Sequence, residues 1–485
     1  MTFTFLNESR RLPYGDWRAA GAADLWRYHL HYFDDLNAGG AVSRRAWQGE
    51  AIEDWVRSNP VGAGTGWDPY PTSLRVVNWI KYALAGGALS SAATESLANQ
   101  VRALRGRLEY HLLGNHLLAN AKALVFAGAH FEGREANAWL DKGMSLLQEE
   151  LPEQILPDGG QFERSPMYQA LALEDLLDLI NAVGAYPAAF PDRWRPLMRS
   201  WPHTAQRMLR WLDVMCHPDG EIALFNDAAS GLAPSLAELS RYAGELLGPS
   251  RYERARLSHL SDSGYIRSEA PDAVLIADVA PIGPDYLPAH AHADTLSFEL
   301  SLFGQRVIVN GGTSRYGKGP ERQAERGTPA NSTVTVNSEN SSEVWDGFRV
   351  ARRARPFDLL IEESTGETRI SCAHDGYKRL SGKPIHRRSW RVRQNELRIE
   401  DLIEGRYKTA LAHYHLHPSV EAIADPQAIS GVLRLPGGEE ARWRASNRVR
   451  IEPSHYAPEF GRKLPSRRLA LELQGSGPSW LELSW

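Results

Sequence analysis

The stretch PAHAHADTLSFEL (288–300) sets His290, His292 and Asp294 at spacing i, i+2, i+4, directly before an apolar run. In an extended strand those three side chains share one face. Imidazole titrates near neutrality and also ligates metals, so the cluster suits proton transfer or metal binding. The competing expectation is a strand whose polar face is merely wet.

Four further segments carry candidate chemistry. In GNHLLAN (114–120) a glycine breaks one helix and delivers Asn115 and His116 to the start of the next. Helix starts present free N–H groups and a positive dipole end, which suit an anionic substrate. Capping and first-turn roles are the plainer alternative. The loop LPDGGQFERSPMY (156–168) brings Glu163, Arg164 and Tyr168 close together near a helix start. NGGTSRY (310–316) with GPER (319–322) offers Tyr316, Arg315 and Arg322 on a glycine loop. WDPYPTSLR (67–75) adds Trp67, Tyr70 and Arg75 at a helix entrance. Together these segments supply Asn, His, Tyr and Arg more conspicuously than paired carboxylates. That mixture fits proton abstraction beside a carboxylate, as in elimination across C4–C5 of a uronate sugar. Asn, His or Arg would stabilise the enolate-like charge, and Tyr and His would serve as base and acid.

The elements that must position these groups change character along the chain. Segments near 73–86, 93–113, 116–128, 134–150, 168–184, 192–213 and 233–247 have apolar residues at helical spacing, so helix pairs with short turns are predicted, as a toroid or solenoid. From about 250 onward short alternating segments dominate, from Ala273–Ala280 through Leu296–Leu302 to Arg468–Leu473, and predict an antiparallel β-sandwich. Two domains are therefore expected, 1–250 and 251–485, with the active site between them. His413, His415 and His417 alternate along one late strand and read first as core histidines. Arg349, Arg352, Arg353 and Arg355 read as a solvated strand and turn, with substrate contact for one or two.

Composition narrows the class. A chain of 485 residues exceeds one ordinary core, and a net charge of -4 gives no global basic field for nucleic acid. Only Cys216 and Cys372 occur, which excludes a disulfide framework. The first residues lack a signal-peptide pattern and no apolar run could span a bilayer, so cytoplasmic residence without membrane insertion is expected, or periplasmic residence if a signal was removed. Nothing in the residues sets an oligomeric state.

Taken in order, WDPYPTSLRVVNWIKY, YHLLGNHLLANAKAL, LPDGGQFERSPMYQALALEDLL, PAHAHADTLSFEL and NSSEVWDGFRVARRARP resemble the heparinase II/III-like polysaccharide lyases over nearly the whole chain. The resemblance implies an N-terminal incomplete (α/α) toroid followed by a C-terminal antiparallel β-sandwich, and cleavage of an acidic, uronate-containing polysaccharide by β-elimination. The polymer would be a bacterial exopolysaccharide or a glycosaminoglycan-like chain. Asn115 and His116 match the pair that neutralises the carboxylate, Tyr168 the catalytic tyrosine and His290 the catalytic histidine. Trp67, Tyr70, Arg75, Glu163, Arg164, Tyr316 and Arg322 are the expected substrate contacts. His292 matches the first ligand of a structural zinc in some members. Asn310 and Asn331 stand where zinc-binding members carry an acid and a histidine, so no tightly bound zinc and no other cofactor are expected. Ala119 replaces a glutamate found in some relatives, and Gln169 follows Tyr168 where close relatives carry His. The rival readings are a toroid glycoside hydrolase using Asp158, Glu163 or Asp227, a metallohydrolase using His290 and His292, and a catalytically idle polysaccharide-binding protein of exopolysaccharide assembly.

Overall fold

A computed structural model describes residues 1–249, 254–475 and 477–485. The chain divides into two compact units, 1–155 with 172–205 and 242–248, and 156–171 with 206–241 and 249–485. The boundary expected at 250 lies outside the described residues.

Helices dominate the first half of the chain: α1 (Asp24–Leu30), α2 (Arg45–Ser58), α3 (Pro69–Leu84), α4 (Ser91–Arg105), α5 (Gly114–His130), α6 (Arg134–Gln154), α7 (Pro166–Ala185), α8 (Arg195–Val214) and α9 (Leu236–Leu247). The predicted helical segments match these, except that 93–113 runs past the end of α4 at Arg105 into turns. Their starts follow local chemistry. Proline occupies the first turn of α3, where a missing N–H costs nothing. Ser90 caps α4 by accepting the Ala93 N–H at 3.0 Å. Helix α5 is buried on nearly every face from Leu117 to Ala129. It lies close against α6, because Gly128 and Gly143 remove the side chains between them. A Cβ on Gly128 would sit 2.4 Å from Leu140 N, and one on Gly143 2.8 Å from Ala121 O. Helices α1 and α2 and the hairpin Thr2–Phe5/Glu8–Arg11 were not foreseen.

The second unit is a β-sandwich of two antiparallel sheets. One runs, in spatial order, through Pro356–Ser364, Glu367–His374, Ile385–Arg393, Glu396–Glu404, Ser479–Ser484, Glu440–Ala445, Ser430–Arg434 and Glu421–Ala424. The other runs through Val449–Glu459, Arg462–Glu472, Ala410–Leu416, Gln305–Val309, Phe298–Leu302, Ala273–Asp278, Tyr265–Ala270 and Leu257–Leu260, with Val334–Val336 beside Ala410–Leu416. Ile385–Arg393 and Glu396–Glu404 alternate buried and half-exposed residues, the pattern of strands with one face on a core. That core joins Phe298, Leu300 and Tyr414 of one sheet to Trp390, Leu397, Trp443 and Leu481 of the other. Phe298 and Trp390 meet edge to face with centroids 6.2 Å apart.

A buried ion pair inside this core reaches the loop that carries the first motif. Arg388 grips Asp401 at 2.8 and 3.0 Å and donates to the carbonyls of Leu296 at 2.9 Å and Ser332 at 2.6 Å. Burial would raise Asp401, but Arg388 and His386 outweigh it and hold the carboxyl well below its usual range.

Candidate active site

The segment from Pro288 to Ser297 is not a strand, contrary to expectation; pairing begins at Phe298. Turns close from Pro288 to Ala291 and from Asp294 to Ser297, and Leu296 holds a left-handed φ of 62°. A β-branched-poor, alanine-spaced loop of this kind cannot keep a pleat through such a residue. His290 and His292 converge all the same, because both reach one carboxylate. Asp294 turns elsewhere, accepting the Asn226 N–H at 3.1 Å, so the three do not share one face.

Asp227 is the shared acceptor. It comes from FNDAAS (225–230), where Asn226 takes a left-handed φ of 56°. Its Oδ2 meets His290 Nδ1 at 2.8 Å and Arg322 Nη2 at 2.6 Å. Its Oδ1 meets His292 Nε2 at 2.8 Å, Thr313 Oγ1 at 3.4 Å and Arg322 Nη1. Burial would raise its pKa, but the guanidinium and the two histidine hydrogen bonds outweigh it and hold Asp227 ionised, well below the usual carboxylate range. An ionised carboxylate only accepts, so His290 donates from Nδ1 and His292 from Nε2. Burial pushes His292 down to about 4, which keeps it neutral at neutral pH. Sequence reading had placed Asp227 only among the carboxylates of a hydrolase and Arg322 among substrate contacts. Both are fully buried against each other, so Arg322 holds the site rather than meeting a sugar.

Tyr168 and Tyr316 join this cluster. Their hydroxyls lie 2.9 Å apart, and the Tyr168 ring packs on His290 with centroids at 4.2 Å. Burial first, and then the neighbouring phenol, pushes Tyr168 well above its ordinary value, so it holds its proton. Tyr316 also meets Phe348 and Phe460, at 5.4 and 4.9 Å. Glu163 Oε2 lies 3.8 Å from His290 Nε2. Arg164, expected as a substrate contact, instead donates to the carbonyls of Pro281 at 2.8 Å and Gly283 at 2.9 Å and is nearly buried. Gln169 is structural as well: it takes the Gln161 N–H at 2.6 Å and donates to Gly159 and Met208 carbonyls at 2.9 Å each. The four arginines after Phe348 are mostly exposed or ion-paired, with Arg352 on Glu343 and Arg353 on Asp285.

In the helical unit, Leu113 and Gly114 take left-handed φ values of 58° and 53°, which turns the chain into α5. Asn115 and His116 then stand in its first turn, half-exposed. Tyr70 stacks on His116 at 4.4 Å between centroids and is hydrogen-bonded to the Asn115 side chain. His116 Nδ1 lies 3.1 Å from Glu109 Oε1. Glu109 is itself fixed: its Oε2 accepts Asn120 Nδ2 at 2.9 Å and its N–H donates to Asn120 Oδ1 at 2.9 Å. Asn120 also donates to Ser73 Oγ at 3.0 Å. Glu109 thus supplies a carboxylate beside the Asn-His pair although Ala119 does not. Sequence reading missed it because Glu109 falls in the predicted helical segment 93–113, whereas the chain leaves α4 at Arg105 and turns back toward α5. Trp67 and Arg75 do not fit the substrate contacts expected of them. Trp67 is 2% exposed, and Arg75 is 0% exposed. Arg75 donates to Gln100, His31 O and Gly66 O at 2.9, 3.2 and 2.7 Å and lies over the Trp55 ring at 4.0 Å. A cavity of about 600 Å³ in this unit, lined by Leu36, Arg45, Lys81, Phe126 and Asp178, includes none of the expected site residues.

The donor set around His292 does not fit a zinc ion. Asn310 donates to Ser297 Oγ at 3.3 Å and accepts Ser332 N–H at 2.9 Å, while Asn331 donates to Gly327 O at 3.0 Å. The Asn310 amide is committed at both its nitrogen and its oxygen, and the nearest charge to His292 is the Arg322–Asp227 pair. Neutral amides are poor zinc ligands beside carboxylate or imidazole.

The fold is a helical (α/α) toroid followed by an antiparallel β-sandwich, with the Asn-His pair on α5, Tyr168 on α7 and His290 in the loop before Phe298–Leu302. Known proteins agree. The heparinase II/III N-terminus family matches residues 45–244, and the heparinase II/III-like, C-terminal family matches residues 253–481. The chain belongs to the heparinase II/III-like family and is a polysaccharide lyase. It is 27% identical over 473 residues to FtsZ-localized protein C of Caulobacter vibrioides, covering 90% of this chain and 77% of that one. It is 23% identical over 486 residues to heparin-sulfate lyase of Bacteroides stercoris, covering 88% and 69%. A crystal structure of heparinase III shares the fold with a TM-score of 0.76 at 17% identity, over 96% of this chain and 78% of the other.

Proposed function

We propose that this lyase acts on a uronate-containing exopolysaccharide or glycosaminoglycan-like chain, with His290 as base and Tyr168 as acid. His290 Nε2 removes the C5 proton, and the C5–H electron pair forms the C4=C5 double bond. The C4–O4 bond breaks, and the Tyr168 phenol gives its proton to O4. The carboxylate charge that grows as C5 loses its proton must be neutralised, a role that the family resemblance gives to Asn115 and His116. The observation that carries this reading is the Tyr168–His290 contact at 4.2 Å, joined to a His290 ring whose Nδ1 is committed to Asp227 at 2.8 Å. A neutral imidazole so held has its remaining lone pair on Nε2, and a phenol held above its ordinary pKa is a donor rather than a base. The inventory also weighs against hydrolysis. Asp158 accepts three hydrogen bonds from Asp262 and Ser263 at 3.0, 2.7 and 2.8 Å, and Asp227 is consumed by Arg322. Zinc at His292 plays no part in the proposal.

The test is a panel of uronate-containing exopolysaccharides and glycosaminoglycans, heparan sulfate among them, read by ultraviolet absorbance of the unsaturated product. Cleavage that yields only saturated reducing ends would establish a hydrolase instead.

A further inference from the structure

We propose that Asp227, clamped by Arg322, is the positioning residue that fixes the tautomer and orientation of His290. This rests on the reading of His290 as base.

Donors meet both oxygens of the Asp227 carboxylate. His290 Nδ1 and Arg322 Nη2 share Oδ2 at 2.8 and 2.6 Å, and His292 Nε2 and Thr313 Oγ1 share Oδ1 at 2.8 and 3.4 Å. The clamp is held in turn: Arg322 donates from Nε to Gly347 O at 3.0 Å and packs against the Tyr316 and Phe348 rings, 5.0 and 5.3 Å from their centroids. A fully buried carboxylate with a fixed guanidinium partner does not take up a proton as the imidazole is charged, so it can stabilise the imidazolium that base catalysis creates.

The backbone of the same residue works in parallel. The Asp227 N–H donates to the His290 carbonyl at 2.9 Å, so one residue fixes that histidine at both ends. The Asp227 carbonyl accepts Ser165 Oγ at 2.5 Å, and Ser165 Oγ in turn accepts the Tyr168 N–H at 3.3 Å. Asp227 therefore registers the imidazole and the phenol against each other. It also takes over His292, the residue that resembles a zinc ligand, and supplies by Arg322 the positive charge a metal would bring to that spot. A site fixed to within a few tenths of an ångström by such supporting contacts loses turnover before it loses binding when one is removed.

Two measurements decide. In wild-type protein labelled with nitrogen-15 in histidine, the neutral form of His290 should show a protonated Nδ1 and a bare Nε2, its signals assigned by their loss in His290→Gln. In Asp227→Asn the side chain keeps its shape but loses its charge. We expect kcat to fall about 10²-fold with KM within about threefold, and the His290 signals to spread to both tautomers. An Nε2-protonated His290 in the wild type overturns the inference, and needs no variant to fold. Wild-type kcat in Asp227→Asn also overturns it. Full activity in His290→Gln would instead overturn the reading of His290 as base, whatever the tautomer.

Discussion

Replacing Tyr168 by Phe separates catalysis from stability more cleanly than any other change in the cluster. The substitution deletes one hydroxyl and leaves the ring against His290 at 4.2 Å. Among the described residues, the bond lost from that hydroxyl is the 2.9 Å contact to Tyr316. A single neutral hydrogen bond contributes about 1 kcal/mol net, and Tyr316 is half-exposed, so water can replace its partner. The expected loss of stability is therefore about 1 kcal/mol, a shift of a few degrees in Tm at most. The transition state loses its proton donor to O4. Removing a positioned acid lowers turnover by about 10²-fold or more, equivalent to about 2.7 kcal/mol of barrier. Tyr316→Phe is the matched control, since it breaks the same hydrogen bond from the other side and should cost the same stability with tenfold or smaller loss of turnover. The assay is initial-rate absorbance of the unsaturated product beside calorimetric Tm. Tyr168→Phe with turnover within about threefold of wild type would refute the acid role, and a Tyr316→Phe that loses more than Tyr168→Phe would transfer it to Tyr316.

Three further outcomes follow from the geometry. Glu109→Gln should lower kcat about tenfold with KM little changed, because His116 Nδ1 loses its charged partner at 3.1 Å; unchanged steady-state kinetics would reduce Glu109 to packing. Lys122→Met should cost about 3–5 kcal/mol in urea unfolding, since Lys122 holds Asp175 at 2.7 Å and Asp178 at 2.6 Å in the helical unit and is 4% exposed. His415 is pushed down to about 3 by burial, so the folded chain keeps it neutral while the unfolded chain protonates it below about 6.5; its contribution is present above that value and is lost as pH falls toward 3. The stability gap between wild type and His415→Gln should accordingly shrink by about 2 kcal/mol from pH 7.5 to pH 5, and an unchanged gap would show that His415 is not buried neutral.

The sequence by itself determined the helical and sheet halves, because apolar spacing of 3.6 and 2 is a local property that each segment carries alone. It also singled out the candidate residues by type and local context: Asn115 and His116 at a glycine-started helix, Tyr168 after a glycine loop, His290 in an alanine-spaced run. Which charges meet was decided only in three dimensions. Asp227 lies 63 residues from His290 and 95 from Arg322 along the chain, so no periodicity links them. Glu109 reaches His116 only because the chain turns after α4, and Arg75, expected as a substrate contact, is instead enclosed by Trp55, Gln100 and the His31 carbonyl. Long side chains such as Arg322 and Arg75 read alike in sequence whether they meet solvent or a buried carboxylate, because burial depends on what distant segments the fold brings against them.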